Sequence, residues 1–175
     1  TGDRAGKHGK CRIIAGRFRG RVIRFLDAEG LRPTTDRIRE TLFNWLQASI
    51  NGRRCLDAFA GSGALGFEAL SRSASHLTMV EKSAVTAASL RENAALLLGN
   101  EADREADIIE SDVITWLGMP DVQARNRSAF DLVFLDPPFR SGLLDACIAR
   151  LADSGCLAPD AIIYVEHAVD ETVDI

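Results

Sequence analysis

The residues with the most specific chemistry in this sequence are Asp136-Pro137-Pro138-Phe139, which follow a strongly apolar run from Phe130 to Leu135. Two successive prolines remove two backbone donors and fix the turn. What remains is a set of acceptors, the Asp136 carboxylate and backbone carbonyls such as that of Pro137, beside the Phe139 ring. That set suits a planar base with an exocyclic amine, whose two N–H bonds the acceptors take while Phe139 stacks on the ring. Such an amine is a poor nucleophile because its lone pair is delocalised. Acceptors that draw on its hydrogens let the nitrogen pyramidalise toward an electrophile, which is mainly catalysis by positioning.

A second constellation lies earlier, at Asp57-Ala-Phe-Ala-Gly61-Ser-Gly63-Ala-Leu-Gly66. The string contains GxGxxG after a predicted strand and before a predicted helix, as in dinucleotide-binding domains. Glu81 stands twenty residues beyond Gly61, where an acid takes ribose hydroxyls. A nicotinamide enzyme is therefore one reading. Asp57 favours another, because a carboxylate at that point repels a pyrophosphate and attracts a cation. S-adenosylmethionine, with its ammonium and sulfonium, fits that charge. Asp112, after the third strand of the alternating region, is placed to meet an adenine amino group.

These residues need a scaffold that brings loops to one edge. From Arg54 onward the pattern alternates: strands are predicted over residues 55–59, 76–80, 106–110, 130–135 and 161–165. Helices are predicted over 64–73, 83–98, 113–117 and 143–152, with an irregular stretch after 117. The rhythm implies an α/β, Rossmann-like, doubly wound and mostly parallel sheet. Ahead of it, two β-prone runs around Gly16–Gly20 read as a hairpin, and Pro33 holds an extended segment before a helix capped near Thr35. Ile38, Leu42, Trp45 and Leu46 are spaced as that helix's apolar stripe. The expected organisation is a mobile tail over 1–10, a basic hairpin and helix over 11–53, and a catalytic core over 54–175.

The 175 residues are 46% apolar and 26% charged, enough for an ordinary core and against disorder. Residues 1–54 hold 13 Lys/Arg and 5 Asp/Glu, a net of +8, and residues 55–175 hold 8 and 20, a net of −12. This asymmetry points to a polyanion partner for the arm, through Arg12, Arg17, Arg19, Arg21 and Arg24. Cys11, Cys55, Cys147 and Cys156 are scattered, with no CxxC, so no metal site is expected and reduced thiols in the cytoplasm are. No run is long and apolar enough to suggest a membrane span.

Taken together, Asp57-x-Phe-x-Gly-x-Gly, Glu81, Asp112 and Asp136-Pro-Pro-Phe139 resemble class I S-adenosylmethionine-dependent methyltransferases acting on nucleobase amines. Adding Arg32-Pro-Thr-Thr-Asp-Arg-Ile-Arg-Glu-Thr-Leu-Phe-Asn-Trp45 and Tyr164-Val-Glu166, residues 10–167 resemble the RsmD family, bacterial methyltransferases of one guanine N2 in 16S ribosomal RNA. The resemblance implies Asp57, Gly61 and Gly63 at the methionine end of S-adenosylmethionine, Glu81 at its ribose and Asp112 at its adenine. It implies that the segment from Arg32 to Arg37, including Thr35, closes over cofactor and target, and that Asp136, Pro137 and Phe139 seat the guanine. A small-subunit ribosomal RNA partner, within an assembling particle, and a monomeric protein are expected. Members of that family usually continue past the fifth strand into a last antiparallel hairpin, which these 175 residues do not include. Other readings are a DNA adenine-N6 methyltransferase, a nicotinamide oxidoreductase and a non-catalytic ribosome-binding module.

Overall fold

In the computed structural model, which describes residues 8–26, 34–124, 129–170 and 172–173, the expected alternation is present. β1 (His8–Arg12) and β2 (Val22–Leu26) form an antiparallel hairpin, followed by α1 (Asp36–Leu46). Then come β3 (Arg54–Asp57), α2 (Ala64–Ser71), β4 (His76–Glu81), α3 (Ala84–Leu98), a 3-10 turn into α4 (Ala102–Glu105), and β5 (Ala106–Glu110). The chain continues through α5 (Val113–Leu117), α6 (Pro120–Ala124), β6 (Phe130–Leu135), α7 (Leu143–Ser154) and β7 (Leu157–Val165). α6 occupies part of the stretch expected to be irregular. β3 to β7 form one parallel sheet in the order β5-β4-β3-β6-β7. The order reverses between β3 and β6, and such a switch point opens a crevice beyond the strands' C-terminal ends.

Strand side chains alternate between two cores, as the pleat requires. Cys55, Leu77, Met79, Leu132 and Phe134 pack with the hairpin, α1, α2 and α3 on one face. Leu56, Val80, Val133 and Leu135 pack with α5 and α7 on the other.

The hairpin begins earlier than the sequence suggests. His8, Gly9 and Lys10 are paired with Leu26, Phe25 and Arg24, so these residues are strand rather than tail; residues 1–7 lie outside the described residues. A Cβ on Gly9 would stand 2.3 Å from the Phe25 ring, so the missing side chain is what lets that ring lie across the strand.

The apolar stripe of α1 is also rotated from expectation. Ile38 and Trp45 are 42% and 75% exposed, and the buried residues are Arg39, Leu42, Phe43 and Leu46. The reason is electrostatic. Arg39 is fully buried because Glu68 of α2, also fully buried, takes its guanidinium at 3.3 Å, with Asp36 at 2.7 Å and the Arg12 carbonyl at 2.9 Å. Glu68 accepts as well from the backbone N–H of Ile14 and Ala15 (2.9 and 3.1 Å) and from Arg72 Nε (2.8 Å). One carboxylate thus joins the hairpin, α1 and α2.

Candidate active site

A cleft of about 610 Å³ opens at the C-terminal ends of β3, β4, β5 and β6. Asp57, Gly61, Glu81, Asp112, Asp136, Pro137 and Phe139 all line it. Residues spread over eighty positions of sequence thus meet at one edge because parallel strands all release their loops there.

Asp57 ends β3 and is 1% exposed; its Oδ2 accepts from the Gly66 N–H at 3.2 Å, while Oδ1 has no partner among the described residues. Burial, then the charge of Asp136, pushes its carboxyl up to about 7. A buried acceptor left unpaired is costly unless a ligand completes it. Glu81 Oε2 accepts from the Gly61 N–H at 3.0 Å and Oε1 from the Ser83 N–H at 2.8 Å, fixing the carboxylate against the glycine loop. Carboxylate oxygens take more than one donor, so both can still accept ligand hydroxyls. Asp112 caps α5 through Thr115 N–H at 3.0 Å, which orients it at the rim.

Asp136 leaves β6 half-buried, with Pro137 buried beside it and Phe139 63% exposed. Burial, then Glu166, raises the Asp136 carboxyl to about 7, opposed by a hydrogen bond from the Thr34 hydroxyl. Thr34 lines the cleft.

Two expected site residues stand elsewhere. Gly63 does not line the cleft: with φ at +80°, a Cβ there would lie 2.6 Å from Phe67 and 2.8 Å from Leu90. Its lack of a side chain serves the packing of α2 on α3, so a Gly63→Val change would disturb the core before it tested a ligand. Thr35 is an exposed helix cap, its Oγ1 accepting from Ile38 N at 3.4 Å, and the threonine at the cleft is Thr34. A cap must be the last residue outside the helix, so only its predecessor is free to face the site.

The basic residues divide. Arg17 is ion-paired with Glu105, Arg12 Nη1 donates to the Gly20 carbonyl at 3.2 Å, and Arg21 Nη2 to the Leu96 carbonyl at 2.8 Å. Arg19, Arg24 and Arg37 are exposed, and among the described residues their guanidiniums have no ion pair. Arg32 lies outside the described residues. All four cysteines are free and buried, and burial raises their thiols, as expected of inert core groups. Among the described residues no helix is long and apolar enough to cross a membrane.

Strand order, glycine loop and acidic strand ends together define a class I methyltransferase fold. Residues 11–174 match the family described as "Conserved hypothetical protein 95", and the chain belongs to that family. It is 45% identical over 163 residues to the Ribosomal RNA small subunit methyltransferase D of Haemophilus influenzae, covering 93% of this chain and 81% of that protein. The protein of the same name from Escherichia coli K12 is 46% identical over 162 residues, covering 93% and 77%. Among solved structures, the Escherichia coli chain yhhF superposes with a TM-score of 0.79 at 45% identity, covering 95% of this chain and 86% of that one. A Plasmodium falciparum chain solved with S-adenosyl-L-homocysteine shares the fold, with a TM-score of 0.62 at 15% identity over 83% and 66%.

Proposed function

We propose that this chain methylates the exocyclic N2 of a guanine in small-subunit ribosomal RNA, using S-adenosylmethionine. The observation that carries the reading is the pairing, in one cleft, of a buried unpartnered carboxylate oxygen on Asp57 with the Asp136-Pro137-Pro138-Phe139 turn, whose two prolines lack backbone N–H groups. The relatives' shared name supports the RNA substrate.

The residues fit the cofactor's charge. Asp57 offers a cation its second oxygen, Glu81 offers ribose hydroxyls an anchored carboxylate, and Asp112 stands at the rim where an adenine amine would come. When bound, S-adenosylmethionine would supply an electrophilic methyl group whose bonding pair stays on sulfur, and the guanine N2 that takes it would release one proton. Asp136 and the Pro137 carbonyl hold the two N2–H bonds, and Phe139 stacks on the base. Pro137 and Pro138 carry no N–H that could compete for the amine's lone pair. With its carboxyl raised to about 7, Asp136 is near the right strength to receive the departing proton at neutral pH, directly or through water.

The raised carboxyls give a pH signature. Their folded values lie above the ordinary 3.8, so their contribution to stability is complete below that pH and is lost as pH rises through about 7. A cation prefers the ionised form, so S-adenosylmethionine affinity is expected to rise between pH 5.5 and 7, by up to about tenfold per unit. Calorimetry across that range, in buffers of different ionisation enthalpy, reads both the affinity and the proton release. A flat profile would remove Asp57 from the cationic end.

For RNA, the side chains free of internal pairs are the ones to test. Replacing Arg19, Arg24 and Arg37 by alanine is expected to flatten the log–log salt dependence of RNA binding by roughly two to three units if all three touch phosphates. Arg17→Ala should change it less, because Glu105 already holds that guanidinium. Parallel salt lines for triple variant and wild type would move RNA contact off these residues.

The reading itself is tested by supplying labelled S-adenosylmethionine with purified 16S RNA, partly assembled small-subunit particles or duplex DNA. Label in the small-subunit RNA, naked or assembled, is expected. Label in DNA alone would favour an adenine-N6 enzyme, and NADH binding without S-adenosylmethionine binding an oxidoreductase.

A further inference from the structure

We propose that Glu166 reads the guanine, its carboxylate accepting the base's N1–H while Asp136 accepts an N2–H, which rests on guanine N2 being the methyl acceptor. β6 and β7 run parallel with Phe134 opposite Tyr164 and Leu135 opposite Val165. The Glu166 N–H donates to the Leu135 carbonyl at 2.9 Å, extending the ladder by one step. Asp136 and Glu166 are therefore the next neighbours as the two strands leave the sheet. The period of two puts both on the face of Phe134 and Tyr164, whose rings meet edge-on with centroids 6.3 Å apart. Phe134 also meets Phe43 of α1 at 5.9 Å, so this is the face α1 covers, and Thr34 just before α1 reaches Asp136.

The Tyr164 hydroxyl donates to Glu166 Oε2 at 3.4 Å, which steadies the carboxylate, and Oε1 has no partner among the described residues. Two carboxylates facing one another repel, and a ligand edge carrying two adjacent donors relieves that repulsion. Among the four RNA bases guanine alone has such an edge, N1–H beside N2–H₂; adenine and cytosine put an acceptor next to their amine, and uracil has no amine. Asp136 lines the cleft and Glu166, its neighbour across the strands, stands beside that lining rather than in it; the same cleft holds Asp57 with its unpartnered, buried Oδ1, an independent sign that a ligand completes this end of the sheet. The sequence singles out Tyr164-Val-Glu166 only as part of the family resemblance and assigns Glu166 no role; the register with β6 is what pairs it with Asp136.

The test uses small-subunit particles reconstituted with guanosine or with 2-aminopurine riboside at the methylated position. 2-Aminopurine keeps the amine on C2 but carries an acceptor at N1. Wild type is expected to favour guanine by at least about tenfold in kcat/KM, the worth of a hydrogen bond to a charged group. The Glu166→Gln amide can accept from guanine N1–H or donate to 2-aminopurine N1, so guanine should be methylated more slowly and 2-aminopurine faster, with their ratio falling about tenfold. A merely structural role would lower both together and leave the ratio alone. The inference is overturned if wild type treats the two bases within twofold, or if Glu166→Gln keeps the wild-type ratio. Wild-type label on an atom other than guanine N2 would instead overturn the acceptor assignment beneath it.

Discussion

Asp136→Ala is expected to lower single-turnover methyl transfer by about 10²- to 10⁴-fold while leaving S-adenosylmethionine affinity within a few-fold of wild type. The asymmetry follows from where the carboxylate stands. Asp136 leaves the sheet at β6, beside the turn that receives the amine, whereas the cofactor's cationic end is assigned to Asp57 at the end of β3. Asp136 touches the cofactor side only through its charge, which helps raise the Asp57 carboxyl. Its removal should therefore make Asp57 easier to ionise and cation binding slightly tighter. Asp136→Asn retains an acceptor oxygen and should lose less, though its amide cannot receive a proton. Rapid-quench measurement of one turnover, with calorimetry of cofactor binding on the same samples, checks both halves. Wild-type turnover in Asp136→Ala would remove the orienting role.

Glu68→Ala is expected to destabilise the protein by about 3–5 kcal/mol, because it removes the buried partner of the Arg39 guanidinium and leaves the exposed Asp36 as its remaining counter-charge. It also strips acceptors from Ile14 N–H, Ala15 N–H and Arg72 Nε. At this chain length the loss corresponds to a fall in Tm of roughly 6–20 °C. Amide exchange should rise first in β1 and β2, whose attachment runs through that carboxylate. Because Arg39 and Glu68 contact one another, Arg39→Ala in the Glu68→Ala background should cost much less than it does alone. A Glu68→Ala melting temperature within 2 °C of wild type would show that the hairpin is held by its apolar contacts.

The β3-to-β7 core was legible in sequence because its signals are strong and local. Apolar runs such as Phe130–Leu135 are long, and each ends at a glycine, proline or acid that stops a strand. That Asp57, Glu81, Asp112 and the proline turn would meet was legible for the same reason: parallel topology sends all those strand ends to one edge. Arg39 was hidden, since a charged residue reads as solvent-facing until its buried partner is known, and Glu68 lies twenty-nine positions away. Ile38 and Trp45 then took its place in the expected stripe. Gly63 was hidden differently. A glycine in a loop motif can face a ligand or a neighbouring helix, and only the approach of Phe67 and Leu90 tells which. Glu166 depended on register between β6 and β7, which is a long-range fact.

The central claim is that the Asp136 turn presents an exocyclic guanine amine to a methyl donor held by the glycine loop. It is tested most directly by nuclease digestion and mass spectrometry of small-subunit RNA after incubation with the pure protein and methyl-deuterated S-adenosylmethionine. The expected result is deuterated N2-methylguanosine at a single position, absent when Asp136→Ala replaces wild type. Deuterium on an adenine amine, on a guanine ring nitrogen, or equally abundant with Asp136→Ala, would contradict it.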